Sequence, residues 1–173
     1  MRSGWIEADS FKLLLTALMP ANSLAIRLSL CTGLRIGDVL SLETKNLKQR
    51  CTITEQKTGK KRRIYIPVGL YTELLSIAGR KYVFEGRLDW QKHRTRAAVW
   101  KDLKRVARLY RIRGEAIKAN ISPHSARKIY AVEQMRHSDI KHVQQLLMHD
   151  NEAVTMLYAM ADVLEAKKQR TRS

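Results

Sequence analysis

The stretch from Ser122 to Tyr158 decides the reading of this chain: S-P-H-S-A-R at 122–127, a helical run, then L-L-M-H-D-N-E-A-V-T-M-L-Y at 146–158. Ser122 before Pro123 predicts an N-cap with proline at the first helical position. His124 then falls in the opening turn, and Arg127, three residues on, shares its helix face. Ile129, Val132 and Met135 continue at helical spacing and predict a second, buried face. Ser138 is placed to cap a further helix striped by Ile140, Val143, Leu146 and Leu147. His149 closes that helix, Asp150 can cap a third, and Tyr158 lies two turns into it. A helix N-terminus carrying an imidazole, a guanidinium and free backbone N–H groups suits an anion. A second imidazole and a phenol follow, which makes a phosphodiester the natural anion to consider.

Composition points the same way. The 173 residues are enough for one domain with a sizeable core, and the 45% hydrophobic content is that of a globular protein. A formal charge of +17 and a pI near 10.3 call for a polyanion, nucleic acid first and an anionic membrane surface second. Cys31 and Cys51 form neither a C-x-x-C metal pair nor a disulfide framework, which predicts a reducing, cytoplasmic compartment. No signal-peptide pattern opens the chain. The apolar run from Leu13 to Met19 is too short to span a membrane.

Upstream, residues 7–19 predict an amphipathic helix stopped by Pro20, and Asn22 or Ser23 is placed to cap the next one. Gly33 is set to end that second helix in a left-handed conformation. Leu34 to Leu42 reads as a short, mostly buried helix with Arg35 and Asp38 as polar exceptions. From Arg50 to Pro67 the apolar period changes to two. Cys51 and Ile53 alternate with threonines, and Ile64 and Ile66 with Arg63 and Tyr65, around a turn-prone Lys57-Thr58-Gly59-Lys60-Lys61. This predicts a β-hairpin with a cationic tip. Val68 to Ala78 reads as another helix, while Tyr82 to Phe84 fits either a short strand or a buried linker. Residues 92–113 hold nine Lys or Arg against Asp102 alone, and Val99, Leu103, Val106 and Tyr110 at helical spacing predict an amphipathic helix with a cationic outer face. Residues 114–120 read as a loop, and the chain closes on a basic tail at 163–173. The predicted class is mainly α with a small antiparallel sheet.

H-S-A-R at 124–127 resembles the H-x-x-R motif of the tyrosine recombinases, the phage-integrase family. M-H-D-N-E-A-V-T-M-L-Y at 148–158 is similar to that family's G-H-x-x-x-x-x-T-x-x-Y ending. C-T-G-L-R-I-G-D-V-L-S-L at 31–42 resembles the segment holding its first arginine, and Q-K-T-G-K-K-R-R-I-Y-I-P at 56–67 its lysine-bearing hairpin. The four stand in the family's order and span Thr32 to Tyr158.

The resemblance implies the DNA breaking-rejoining fold over residues 1–162, and cleavage and rejoining of DNA strands through a covalent 3′-phosphotyrosine, with no metal, cofactor or ATP. The site must supply something on the order of 20 kcal/mol, most of it electrostatic and positional. By resemblance Tyr158 is the nucleophile, Arg35 and Arg127 clamp the phosphoryl oxygens, and Lys57 is the general acid for the leaving 5′-oxygen. His124 assists proton transfer, His149 hydrogen-bonds the phosphate, and Asp38 orients Arg35. Lys60, Lys61, Arg62, Arg94, Arg96 and Lys104 are expected to contact double-stranded DNA. The family works as a homo-oligomer, usually a tetramer on two DNA sites, in bacteria or phage. It carries an N-terminal core-binding domain that is not among these residues, so this chain alone is expected to bind its site weakly.

Each residue has a plainer role open to it. Arg35 can pair with Asp38 at the surface, Arg127 can be a surface salt-bridge residue, His124 a helix cap and His149 a helix-end cation. Tyr158 can be a core tyrosine among Met156, Leu157 and Met160. Met148 stands where the family commonly has glycine. The five histidines form no H-E-x-x-H ligand set, so no metal site is predicted. The alternative functions are a non-cleaving DNA-binding module of the same fold that regulates recombination, and a type IB topoisomerase.

Overall fold

A computed structural model of the chain describes residue 6 and residues 8–112, 115–116, 120–135 and 143. The order of elements is α1 (Ala8–Leu15), α2 (Pro20–Thr32), α3 (Ile36–Leu40), a 3-10 turn at Thr44–Asn46, β1 (Arg50–Thr54), β2 (Lys61–Tyr65), α4 (Val68–Ile77), α5 (Arg96–Leu109), β3 (Arg111–Ile112), β4 (Glu115–Ala116) and α6 (Pro123–Met135). This is the mainly helical chain with a small antiparallel hairpin that the change of period predicts.

Helix α2 is the hub, because it packs against α1, α3, α4 and α6. Leu24, Ala25, Ile26, Leu28, Ser29 and Thr32 are all buried, the pattern of a helix covered on most sides. Pro20, read above as the stop of the first helix, instead opens α2 at its first position, where a missing N–H costs nothing. Neither Asn22 nor Ser23 caps it. Asn22 is buried inside the helix and donates through Nδ2 to Asp102 Oδ2 at 2.7 Å. The same oxygen accepts from the Met19 backbone N–H at 2.9 Å, so a carboxylate on α5 satisfies the start of α2. At the other end Gly33 adopts φ 69°, and its N–H closes on the Ser29 carbonyl at 2.8 Å.

The hairpin pairs β1 and β2 with Cys51 opposite Ile64 and Ile53 opposite Arg62. Ile53, Ile64 and Ile66 face the core. Val83 and Phe84 are buried, and Tyr82 makes a single bridge to Glu43, so that ambiguous segment is a buried linker. Thr95 caps α5 by accepting from the Ala98 N–H at 3.1 Å, and Val99, Leu103 and Val106 are its buried stripe. Arg111–Ile112, read from the sequence as the end of the helical 92–113 block, instead pairs antiparallel with Glu115–Ala116 from the expected loop; two-residue strands have no period to detect. Helix α6 starts at Pro123 as expected. The Ser122 carbonyl accepts from the Ser125 N–H at 2.8 Å, and the Ser122 N–H donates to Ser125 Oγ at 3.3 Å. Val143 is helical and buried and packs with Tyr130, Ala131 and Met135. His149, Asp150, Tyr158 and the 163–173 tail lie outside the described residues. Among the described residues no helix is long and apolar enough to cross a membrane.

Candidate functional site

The turn that ends α2 organises a cluster of charge. Its left-handed Gly33 leaves the Thr32 and Gly33 carbonyls at a helix C-terminus, where the backbone dipole favours cations. Arg127 on α6 donates from Nη1 to the Gly33 carbonyl at 2.6 Å. Arg62 on β2 donates from Nη2 to the Thr32 carbonyl. Arg35 follows the turn directly as the N-cap residue of α3, and its Nη1 donates to Glu55 Oε2 at 2.6 Å. Glu55 is wholly buried, and its Oε1 stands 3.8 Å from Arg62 Nη1. Tyr130 closes the floor. Its ring lies under the Arg62 guanidinium, 5.9 Å to the centroid.

Asp38 completes the cluster from α3. It is buried and accepts from the Gln56 backbone N–H through Oδ1 at 2.9 Å. Its carboxyl is pushed above the ordinary value chiefly by burial, which the Gln56 N–H only partly offsets. Thus the carboxylate that Arg35 meets is Glu55, from another element, and Asp38 instead holds the hairpin turn. Three guanidiniums and two carboxylates therefore share this space. Burial, followed by the positive charge of Arg35, pulls the Arg127 guanidinium down to about 10. It stays charged at neutral pH, in surroundings whose excess of positive charge an anion would balance.

The structure puts the remaining expected residues in different settings. His124 is exposed in the first turn of α6, three residues before the buried Arg127. Lys57 is exposed on the hairpin turn, with Lys60 and Lys61 exposed beside it. Arg96 is exposed at the start of α5, its stem close to Gly37 of α3, so α5, α3 and the hairpin turn meet there. Arg94 is half-buried and its backbone N–H donates to the Phe84 carbonyl at 2.7 Å. Lys104 is half-buried, donates to Asn120 Oδ1 and lies 5.9 Å from the centre of the Trp100 ring.

Besides the role of Asp38, two further expectations differ from the structure. The resemblance puts Arg62 among the DNA-contacting cations of the hairpin, but it is 6% exposed and bonded to backbone, so it cannot reach a groove. Alternation already held the answer: Arg62 lies two residues before Ile64, on the inward face of β2. Nor is Arg127 a surface salt-bridge residue, being 2% exposed. The residue that sequence reasoning missed is Glu55. It is the sole carboxylate between Glu43 and Glu73, a stretch dense in lysine and arginine. A lone acid in such company is a signal for a buried counter-charge.

The family model described as the phage integrase family matches residues 5–165. No curated protein matches the sequence. Among solved structures, the lambda integrase catalytic core superposes with a TM-score of 0.65 at 18% identity, covering 84% of this chain and 91% of that one. A XerA recombinase gives 0.70 at 18% identity, over 96% of this chain and 63% of that one. A lambda integrase tetramer bound to a Holliday junction gives 0.70 at 19% identity, over 90% of this chain. This chain spans 48% of the length of that last protein.

Proposed function

The chain belongs to the phage integrase family, and on that premise we propose that it is the catalytic domain of a site-specific DNA recombinase. It cleaves and rejoins double-stranded DNA through a 3′-phosphotyrosine. The observation that supports this reading best is the meeting of Arg35, Arg62 and Arg127 with Glu55 and Asp38 among the described residues, with His124 exposed on the helix that carries Arg127 and Lys57 exposed on the turn that follows Glu55. That is a fixed positive site of the kind a phosphoryl group needs.

The proposed step balances without an external reactant. The Tyr158 oxygen attacks phosphorus and forms a new P–O bond while the P–O5′ bond breaks. Lys57 gives its proton to the leaving 5′-oxygen, and the phenol proton passes to His124. A free phenol ionises only near pH 10, so the surrounding cations must favour the phenolate. Arg35 and Arg127 lie against the non-bridging oxygens, where guanidiniums suit bidentate contact. His149 adds a hydrogen bond to the same phosphate. The phosphodiester energy is kept in the tyrosyl ester, so attack by a 5′-hydroxyl reverses the step without ATP.

Lys60, Lys61 and Arg96 are proposed as backbone contacts flanking this centre, with residues 1–162 as the catalytic unit and 163–173 as a basic tail. Action as a homo-oligomer on paired DNA sites belongs to the same proposal. To test it, labelled DNA from around the gene is incubated with the chain in EDTA, beside Tyr158→Phe. A covalent band on a denaturing gel that disappears in the mutant is the expected result. A salt-sensitive shift on a native gel with no covalent band would replace this reading by the non-cleaving module.

A further inference from the structure

Arg35 and Lys57 belong to different elements, yet one buried side chain touches the supports of both. Glu55 Oε2 accepts from Arg35 Nη1 at 2.6 Å and from Thr58 Oγ1 at 3.3 Å. The backbone of Glu55 also closes the turn that carries Lys57. Its N–H donates to the Lys60 carbonyl at 3.0 Å, and its carbonyl accepts from the Gly59 N–H at 2.8 Å. With no exposed surface, this carboxylate cannot be a solvated partner that leaves and returns. Gly59, at φ 66°, allows the backbone reversal that brings these bonds together.

From this we infer that Glu55 is a positioning residue, which sets the Arg35 guanidinium and the Lys57 turn relative to each other through one carboxylate. The inference rests on the cleavage reading above for its consequence, though not for its geometry. A phosphate clamp and a proton donor must act on one phosphodiester, the clamp on its non-bridging oxygens and the donor on its leaving 5′-oxygen. Tying both to a single buried group makes their separation a property of the fold rather than of a flexible tip. It also gives Glu55 a task beyond neutralising arginines, and the two roles separate experimentally. Charge neutralisation needs only a carboxylate nearby. Positioning needs one that reaches Arg35 and Thr58 together.

The test uses the full chain with Glu55→Gln, Glu55→Asp, Arg35→Ala and Arg35→Lys. Amide hydrogen exchange at Glu55 and Gly59 is the first readout. Arg35→Ala should speed exchange there by about tenfold although it lies 20 residues away. Arg35→Lys should do the same more weakly, and guards against a variant that folds poorly. Unchanged exchange in both arginine variants would overturn the coupling. This arm needs no DNA, so it decides the inference even if the wild-type chain cleaves nothing, in which case the cleavage reading alone fails.

The second readout is single-turnover adduct formation at saturating DNA. Glu55→Gln and Glu55→Asp should each lower the rate by about 10²-fold, the usual penalty for misplaced groups, with DNA affinity unchanged. On DNA with sulfur in place of the bridging 5′-oxygen the deficit should shrink, because that leaving group needs no proton from Lys57. Full activity of Glu55→Asp would reduce Glu55 to a counter-charge and overturn the positioning role.

Discussion

Replacing Gly33 by alanine probes the turn on which the charge cluster is built. At φ 69° an alanine enters the left-handed region, at a cost of roughly 1–2 kcal/mol. Its Cβ would also stand 2.4 Å from Tyr130 Cδ1 and 2.5 Å from Cε1, so the ring must move. Tyr130 is packed against Ala131 and Val143 and carries Arg62 over its face, which leaves it little room. Overpacking of this kind costs about 1–3 kcal/mol more. The sum, about 2–5 kcal/mol, corresponds in a chain of this size to a fall in Tm on the order of 10 °C. Thermal unfolding followed by circular dichroism measures it.

A double-mutant cycle then divides the two costs. In a Tyr130→Ala background the clash disappears, and Gly33→Ala should cost only the dihedral part. The Thr32 and Gly33 carbonyls hold Arg62 and Arg127, so the folded variant should also lose the DNA cleavage proposed above. A Tm within about 2 °C of wild type would refute the argument, since neither the strain nor the clash would then exist.

Other expectations concern charge. DNA affinity should fall by about 10³- to 10⁵-fold between 50 and 200 mM salt if roughly six to ten phosphates are contacted, and a flat response on titration would remove the basic-surface reading. Arg62→Ala should destabilise the fold by about 1–3 kcal/mol in denaturant titration, because it leaves the Thr32 carbonyl without its buried donor while Glu55 keeps Arg35. Joint Lys60→Ala and Lys61→Ala should leave stability within about 0.5 kcal/mol and instead reduce the slope of the salt titration. Burial alone would raise the Asp102 carboxyl, yet hydrogen bonds from Asn22, Arg105 and the Met19 N–H hold it below the usual value. A depressed folded value means that its stabilisation is present above the ordinary aspartate range and lost as pH falls below about 4. Thermal melts from pH 7 to pH 2 should show that loss in the wild type and a flatter profile in Asp102→Asn.

How far the chain could be read in advance differs from residue to residue. Gly33 as a helix stop, Ser122-Pro123 as a helix start and the period-two hairpin are local signals, and each appears where it was expected. Arg62 was equally legible, because strand alternation turns it inward, but its neighbours Lys60, Lys61 and Arg63 suggest a uniformly exposed cationic tip. Pro20 is consistent with ending one helix or beginning another. What decides is Asp102, a residue 80 positions from Asn22, whose carboxylate satisfies the start of α2. Glu55 is missed although it is the lone acid of a basic stretch, and nothing local states which arginine it meets.

The sequence by itself determined the class of this protein: helical stripes, one alternating pair of strands, a large positive charge and motifs spaced at 31–42, 56–67, 122–127 and 148–158. These follow from backbone geometry and side-chain period, which act over a few residues. Only the tertiary structure decided how the charges are shared, with Arg35 on Glu55, Arg62 and Arg127 on the two carbonyls of the Gly33 turn, and Asp38 on the Gln56 N–H. The reason is that buried charges must find partners wherever packing brings them, and packing joins α2, the hairpin and α6 across long intervals of chain.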